Sequence, residues 1–462
     1  MQKIRFVVTC AIVSLCCPKI GSTDTLIAKL PFDANIPGET YLLSANLVSD
    51  SGVAIEISAN DVVIDGEGKT LIFGQSGPGI GIVAGYSSKR FTIKNVIVEQ
   101  GDYKPKEREH IYGIRSVGNK ERILIHNNSV TIKSAGEVPG SIGRAIQVTD
   151  FSHGGTGHKI SSNIVVVNGK SAIRGISVGR RTGSDTTWNG AICDNRVILD
   201  GVTRLPSGHS GGISLSTDTE SGIVTGNSIT ITEKSYEIGG IGVAESKGWS
   251  IIGNEILIKT GHSRAILLDN ADSTLIEHNS IRFETSGPGN GEHSAGIRIR
   301  FGSDGNIIRN NEVVTSAAVE AIAFRIGGAE SLPNHTTRPR DNLVQSNRFV
   351  SRTRAVSIER GGSVLFEGNY IAGVSDSGFP VFIQDRAGTA DVYFIDDKFI
   401  GANKKSCGKF SPCKVKILGP TRNVIFCRTG LVEADIEASS KSTQDYRIVE
   451  TCEVEPIVRP TL

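Results

Sequence analysis

Residues 209–240 read HSGGISLSTDTESGIVTGNSITITEKSYEIGG. This stretch contains three short segments in which apolar and polar residues alternate: Gly212–Ser216, Gly222–Asn227 and Ser228–Thr232. Alternation of period two marks strands with one buried face, and the Gly, Asn, Asp and Ser residues between the segments mark corners. The chain then repeats the pattern as GIGVAESKGWSIIGNEILIKTGHS (240–263) and RAILLDNADSTLIEHNSIRFETSG (264–287).

A corner asparagine keeps the register. It falls at Asn95, Asn128, Asn163, Asn195, Asn227, Asn254, Asn279, Asn311, Asn347 and Asn369, and Asp397 takes the same place at the end. The intervals run from 22 to 36 residues, the range of a solenoid repeat. A unit of three short strands cannot bury its own apolar face. Stacked units can, with each strand hydrogen-bonded to its counterpart about 4.8 Å away on the next coil. Asparagine suits the corner because it tolerates the left-handed region and can bond to its neighbours along the stack. One repeat pattern from about Val53 to Ile400 implies one elongated all-β domain, a single-stranded parallel β-helix of about eleven or twelve coils. The 54 glycines and the 6% aromatic content suit many corners around a narrow interior, and a net charge of +2 gives no global argument for nucleic acid.

Outside the repeat, residues 1–22 open with Lys3 and Arg5, run through an apolar stretch and end on Gly21 and Ser22. That is the layout of a secretory signal, and it places the protein outside the cell or in the periplasm. Leu15 before Cys16 does not fit a lipoprotein site. No later segment is long and apolar enough to span a bilayer. Residues 23–52, irregular and containing Pro31, Pro37 and a strand at Thr40–Leu43, are expected to cap the open edge of the first coil. Residues 401–462 carry Cys407, Cys413, Cys427 and Cys452 and are expected to form a C-terminal cap stapled by two disulfides. Three pairings are possible, with Cys407–Cys413 preferred; Cys193 reads as a buried thiol outside this set.

The segment VVIDGEGKTLIFG (62–74), followed by Asn-led coils through Ile400, resembles right-handed parallel β-helix proteins of the pectate lyase superfamily. The resemblance covers about three quarters of the chain. It implies the β-helical fold and activity on polysaccharides. The superfamily includes lyases, hydrolases, epimerases and non-catalytic surface proteins, so it does not fix the reaction. Calcium is a cofactor the resemblance allows. No carboxylate cluster in the sequence matches a strong calcium site, which leaves the metal open and none required.

Aligning the coils on the first apolar residue of each Ile-x-Val strand gives the anchors Ile114, Ile146, Ile176, Ile213, Ile241, Ile266, Ile297, Ile322, Val356 and Val381. Four positions earlier, His209, Glu237, His262 and His293 fall on consecutive coils, with His110 in the same column. On the outward positions of the strand, Asp269, Arg298, Arg300, Arg325 and Glu359 share one face. An arginine ladder suits a string of carboxylates or sulfates, which a guanidinium binds bidentately. The long segments 101–110, 179–190, 283–296 and 326–342 leave the coil near this face. Tyr103, Lys104, Arg181, Trp188 and His335 on them are expected to wall a groove.

Removing the proton α to a uronate carboxylate requires a group that neutralises the carboxylate and a base at C5. His262 or His293 is the expected base and Arg298, Arg300 and Arg325 the neutralisers, with His209, Glu237, Asp269, Glu359, Tyr103 and Trp188 binding substrate. An inverting hydrolase needs carboxyls roughly 6.5–9.5 Å apart, and Asp269 and Glu359, three coils apart, are too distant. The polygalacturonase motifs are missing as a set, Arg298-Ile299-Arg300 being a faint echo of one, and the Asp-Pro-His of alginate epimerases is missing as well. The expected activity is β-elimination on an anionic polysaccharide. A C5-epimerase, a hydrolase and a non-catalytic glycan-binding surface protein are the alternatives.

Overall fold

A computed structural model describes residues 24–452, apart from 108, 119, 136–140, 150–156, 170–171, 180–185, 202–210, 217–218, 233–237, 261–262, 285–293, 316–320, 328–337, 360, 375–378, 385–388, 402–412, 419–420 and 439–443. Each rung is built from three strands, for example His110–Ser116, Arg122–His126 and Ser129–Ala135. Every strand pairs in parallel with its counterpart on the next rung, as in Ile114↔Ile146 and Ile146↔Ile176. Among the described residues, first and second strands merge into one 30-stranded sheet and third strands form a 13-stranded sheet. Continuous strands such as Gly239–Ile252, which serve as both first and second strand of their rung, cause the merger. The only helix among the described residues is the short 3-10 turn Glu433–Asp435. The chain is a parallel β-helix.

The anchor column continues past both ends of the expected repeat. Phe32 pairs with Ile55, which pairs with Ile82. At the other end Val381 pairs with Val415 and Val415 with Ile436. Among the described residues the third-strand sheet ends at Lys398–Gly401, and the last rungs show two strands of three. Their short apolar pairs, Val415/Ile417 and Val424/Phe426, are buried like those before them. Cys427 and Cys452 form a disulfide there, the pairing that a Cys407–Cys413 bond would leave. Cys413 is also disulfide-bonded, while Cys407 lies outside the described residues.

The corner asparagines form one hydrogen-bonded ladder. The Asn195 side chain accepts from the Asn163 backbone N–H (3.0 Å) and amide (2.9 Å) and donates to Asn227 Oδ1 (2.9 Å) and the Ile160 carbonyl (2.9 Å). The same pattern runs from Asn128 to Asp397. Asn95 is not part of the ladder. The first ladder place is held by Val96, whose N–H donates to Asn128 Oδ1. Asn95 instead sits one residue earlier, with φ at 55°, matching Asn127 (56°), Ser162 (55°), Asp194 (56°) and Gly226 (65°). Two jobs that asparagine was expected to do together are thus divided between neighbours: one residue turns left-handed and the next bonds along the stack.

A second correction concerns the first strand. Ile297 pairs with Phe324, not with Ile322, so Arg325 stacks on Arg298 and Gly327 precedes Glu359 in its column. The physical reason is a local kink. Gly113 and Ile114 both face inward, and a Cβ on Gly113 would lie 2.4 Å from Val130 on the third strand. A small residue therefore precedes the anchors from Ile82 to Val356, as in Gly175-Ile176, Gly240-Ile241, Ala265-Ile266 and Ala323-Phe324. The kink reverses the alternation, so the residue two before the anchor points outward.

Candidate functional site

That outward column reads Tyr112, Arg144, Arg174, Gly211, Gly239, Arg264, Ala295, Ile322 along consecutive rungs. Strict alternation from the anchor hides it, and none of its arginines is expected from the sequence reading. The small residue before the anchors from Ile82 to Val356 is the feature that would have revealed it. Beside it, one position after the anchor, stand Arg115, Gln147 and Ser177.

Upstream on this face, Tyr112, Arg115, Arg144 and Arg174 form a cationic cluster. The Arg115 guanidinium lies 4.5 Å from the centroid of the Tyr112 ring and that of Arg144 lies 5.5 Å from it. Arg144 Nη1 donates to the Tyr112 hydroxyl at 3.0 Å. Arg174 is the register neighbour of Arg144, roughly one 4.8 Å rung step away. The Nε of all three arginines is buried without a hydrogen-bond partner, and no carboxylate pairs with any of them among the described residues. Burial and the neighbouring Arg144 pull Arg174 down to about 10, and burial also lowers Arg144. His110 is at the edge of the cluster, its ring 6.2 Å from that of Tyr112. Burial, then Arg144, Arg115 and Arg174, hold its pKa below the usual histidine value, which favours the neutral imidazole. The Tyr103 hydroxyl donates to Glu109 Oε2 at 2.7 Å, which ties the 101–110 segment down next to His110.

The face then changes character. On two successive rungs its outward residues are Gly211, Ser214 and Ser216, then Gly239, Gly242 and Ala244. Beyond this low stretch lie the arginines expected from sequence. Arg300 Nη2 meets Asp269 Oδ2 at 2.7 Å and Arg325 Nη2 meets Glu359 Oε2 at 2.8 Å, while Ser357 Oγ donates to Glu359 Oε1. Arg298 and Arg325 are adjacent and only 1% and 4% exposed. Arg300 and Arg325 are thus each compensated by a carboxylate, which leaves Asp269 and Glu359 as ion-pair partners.

Trp188 does not wall a groove. It is fully buried, its ring stacked 4.7 Å from that of His158, at a bulge where the register slips between Thr187 and Gly190. Gly222 makes room for it, since a Cβ there would meet both Trp188 and Trp249. His209, Glu237, His262, His293, Arg181 and His335 lie outside the described residues. Within the described part of their column, His110 pairs with Ile142 and Ile142 with Ala172.

Among the described residues no group of three or more His, Cys, Asp or Glu could hold a metal ion. The cluster is cationic and offers no carboxylate oxygens, so its donor set does not fit calcium.

No protein-family model matches the chain, and no curated protein matches it. Among solved structures, it is similar to the periplasmic alginate epimerase AlgG (15% identity over 86% of this chain and 77% of that one, TM-score 0.41). It is also similar to a PL6 alginate lyase in complex with a trisaccharide (15% identity, 90% and 83% covered, TM-score 0.43) and to the Dettilon tailspike protein (12%, 81% and 62%, TM-score 0.40). Identities and TM-scores this low say nothing about chemistry.

Proposed function

We propose that this chain is an exported enzyme of the pectate lyase superfamily type that cleaves an acidic, uronate-containing polysaccharide by β-elimination. The observation that carries this reading is the group Arg115, Arg144 and Arg174: half-buried cations on an outward face with no carboxylate to balance them among the described residues. Such an arrangement is costly unless an anion completes it. A run of uronate carboxylates laid along the rungs would do so, each held by a guanidinium fork.

The reaction follows from the neighbours. Neutralising the carboxylate makes the C5 proton acidic. The neutral imidazole of His110 takes that proton, the C4–C5 double bond forms, the C4–O bond breaks, and the leaving oxygen takes a proton from solvent water. Returning a proton to C5 instead would make the chain an epimerase, and the product distinguishes the two. Arg300 and Arg325, already paired with Asp269 and Glu359, are better suited to hold the far end of the face than to neutralise substrate. The signal-like N-terminus and the Cys427–Cys452 disulfide support export. Among the described residues no helix is long and apolar enough to cross a membrane.

The test is the ultraviolet absorbance of the unsaturated product on a panel of polyuronates, with His110→Ala and Arg174→Gln alongside. The expected loss is ~100-fold or more for His110→Ala, typical of a general base. The working base must be neutral, and the His110 pKa is lowered from 6.5, so the rate should hold to below pH 6.5 before falling with acid. Full activity in both variants would sink the residue assignment. Epimerised product with no double bond would replace elimination by epimerisation.

A further inference from the structure

Two groups of arginines on this face are held in different ways. Downstream, Arg300 and Arg325 rest on Asp269 and Glu359, which cancel their charge. Upstream, Arg115 and Arg144 rest on a single phenol: both guanidiniums lie over the Tyr112 ring, and Arg144 also donates to its hydroxyl. A ring quadrupole attracts a guanidinium while leaving its charge intact, and so does a neutral hydroxyl acceptor. Three guanidiniums this close repel one another and, without a scaffold, would splay into solvent. Tyr112 is 6% exposed, its ring covered by the two guanidiniums that rest on it.

We infer that Tyr112 is a positioning residue that holds Arg115 and Arg144 together with their charges unspent, so that with Arg174 they form a site for two or more oxyanions, carboxylate or sulfate, spaced about one rung apart. The inference rests on the proposed function only for what carries those anions. A carboxylate at position 112 would stabilise the fold better and destroy the site, because it would supply from within the protein the charge the ligand must bring.

The experiment is thermal unfolding of the full chain in millimolar sodium sulfate against sodium chloride of equal ionic strength, followed by retention on immobilised polygalacturonate over a salt series. The wild type should gain stability from sulfate, and Arg144→Gln and Arg174→Gln should lose that gain. Tyr112→Phe keeps the ring and loses the hydroxyl, so sulfate should bind it a few-fold more weakly. Tyr112→Leu should bind roughly tenfold or more weakly, the loss expected when charge-assisted contacts are no longer aligned. Tyr112→Glu should melt higher than wild type without sulfate and show no response to it. If that variant does not fold, the Phe and Leu variants decide. A sulfate response as strong in Tyr112→Leu or Tyr112→Glu as in wild type would overturn the inference, as would a wild-type response insensitive to Arg144→Gln and Arg174→Gln. An arginine-dependent sulfate response with no retention on any polyuronate would overturn the polysaccharide reading and leave this one standing.

Discussion

Asp397 and Arg174 show how one residue's partner, or lack of one, sets both stability and use. Asp397 ends the asparagine ladder, accepting from the Asn369 N–H (2.7 Å) and side-chain amide (2.8 Å) through Oδ1, while Oδ2 is buried with no hydrogen-bond partner. Burial pushes its carboxyl up to about 8. A folded pKa above the unfolded one means the native state holds a proton that the unfolded chain has released. The resulting cost is absent below about pH 4, grows as pH rises towards 8, and is constant beyond. Asp397→Asn should remove this dependence and stabilise the protein by about 2 kcal/mol at pH 8, as read by urea unfolding at pH 5 and 8. The new amide nitrogen would face the Phe366 carbonyl, as that of Asn369 meets Val344, the register neighbour of Phe366. Arg174 is the opposite case, a half-buried charge that the proposed site reserves for a ligand. Arg174→Met should raise the unfolding free energy by ~1 kcal/mol while weakening polyanion binding, the usual conflict between stability and a charged site. A variant that is both less stable and still active would contradict this account.

At the scale of the element, the corner is the unit that repeats and the ladder is what makes it costly to change. Asn227 links three rungs through hydrogen bonds to Asn195, Asn254, Ile192 and Thr225. Asn227→Ala would orphan buried partners on both sides and should cost ~3 kcal/mol or more. Asn95 occupies the turn position beside the ladder, so Asn95→Gly, which suits a φ of 55°, should change stability by less than ~0.5 kcal/mol. Chemical denaturation of the two variants tests the division of labour, and equal losses would refute it. Inside the coil, interior columns are aliphatic over most of the length and aromatic near the C-terminal end. There Phe366 stacks on Phe394 at 4.6 Å and Phe394 on Phe426 at 5.1 Å. Phe366 and Phe394 lie on rungs that still have a third strand, and their stack carries apolar contact on to Phe426, whose rung has two strands among the described residues.

At the scale of the whole molecule, each rung touches only its neighbours, so stability is local and the ends are its weak points. The Cys427–Cys452 bond ties the last strand, Gln444–Val449, to the strand it pairs with, across a sequence separation of 25. Closing a loop of that length is worth about 3 kcal/mol in the chain-entropy account. Reduction, or Cys452→Ser, should lower hydrogen-exchange protection in Ile436–Ala438 and Gln444–Val449 and leave the rungs around Ile241 unchanged. Uniform loss along the solenoid would show that the stack unfolds as one unit.

The amino-acid sequence by itself determined the rung. Period-two strands, corner residues and recurring asparagines are local features, and stacking is the one way such units bury their apolar faces. It also carried the outward face near Arg298 and Arg300, because those positions follow from simple alternation. The tertiary structure alone decided which cations on that face are compensated. Compensation depends on which residue lies one rung away, and that depends on connecting segments of variable length and on a kink that turns two successive residues inward. A one-residue shift moved Asn95 off the ladder, and a two-residue shift moved Arg325 into the column of Arg298. The same kink brought Tyr112, Arg144 and Arg174 outward. Charge balance across rungs is a property of register, and register is settled by packing between rungs, not within them.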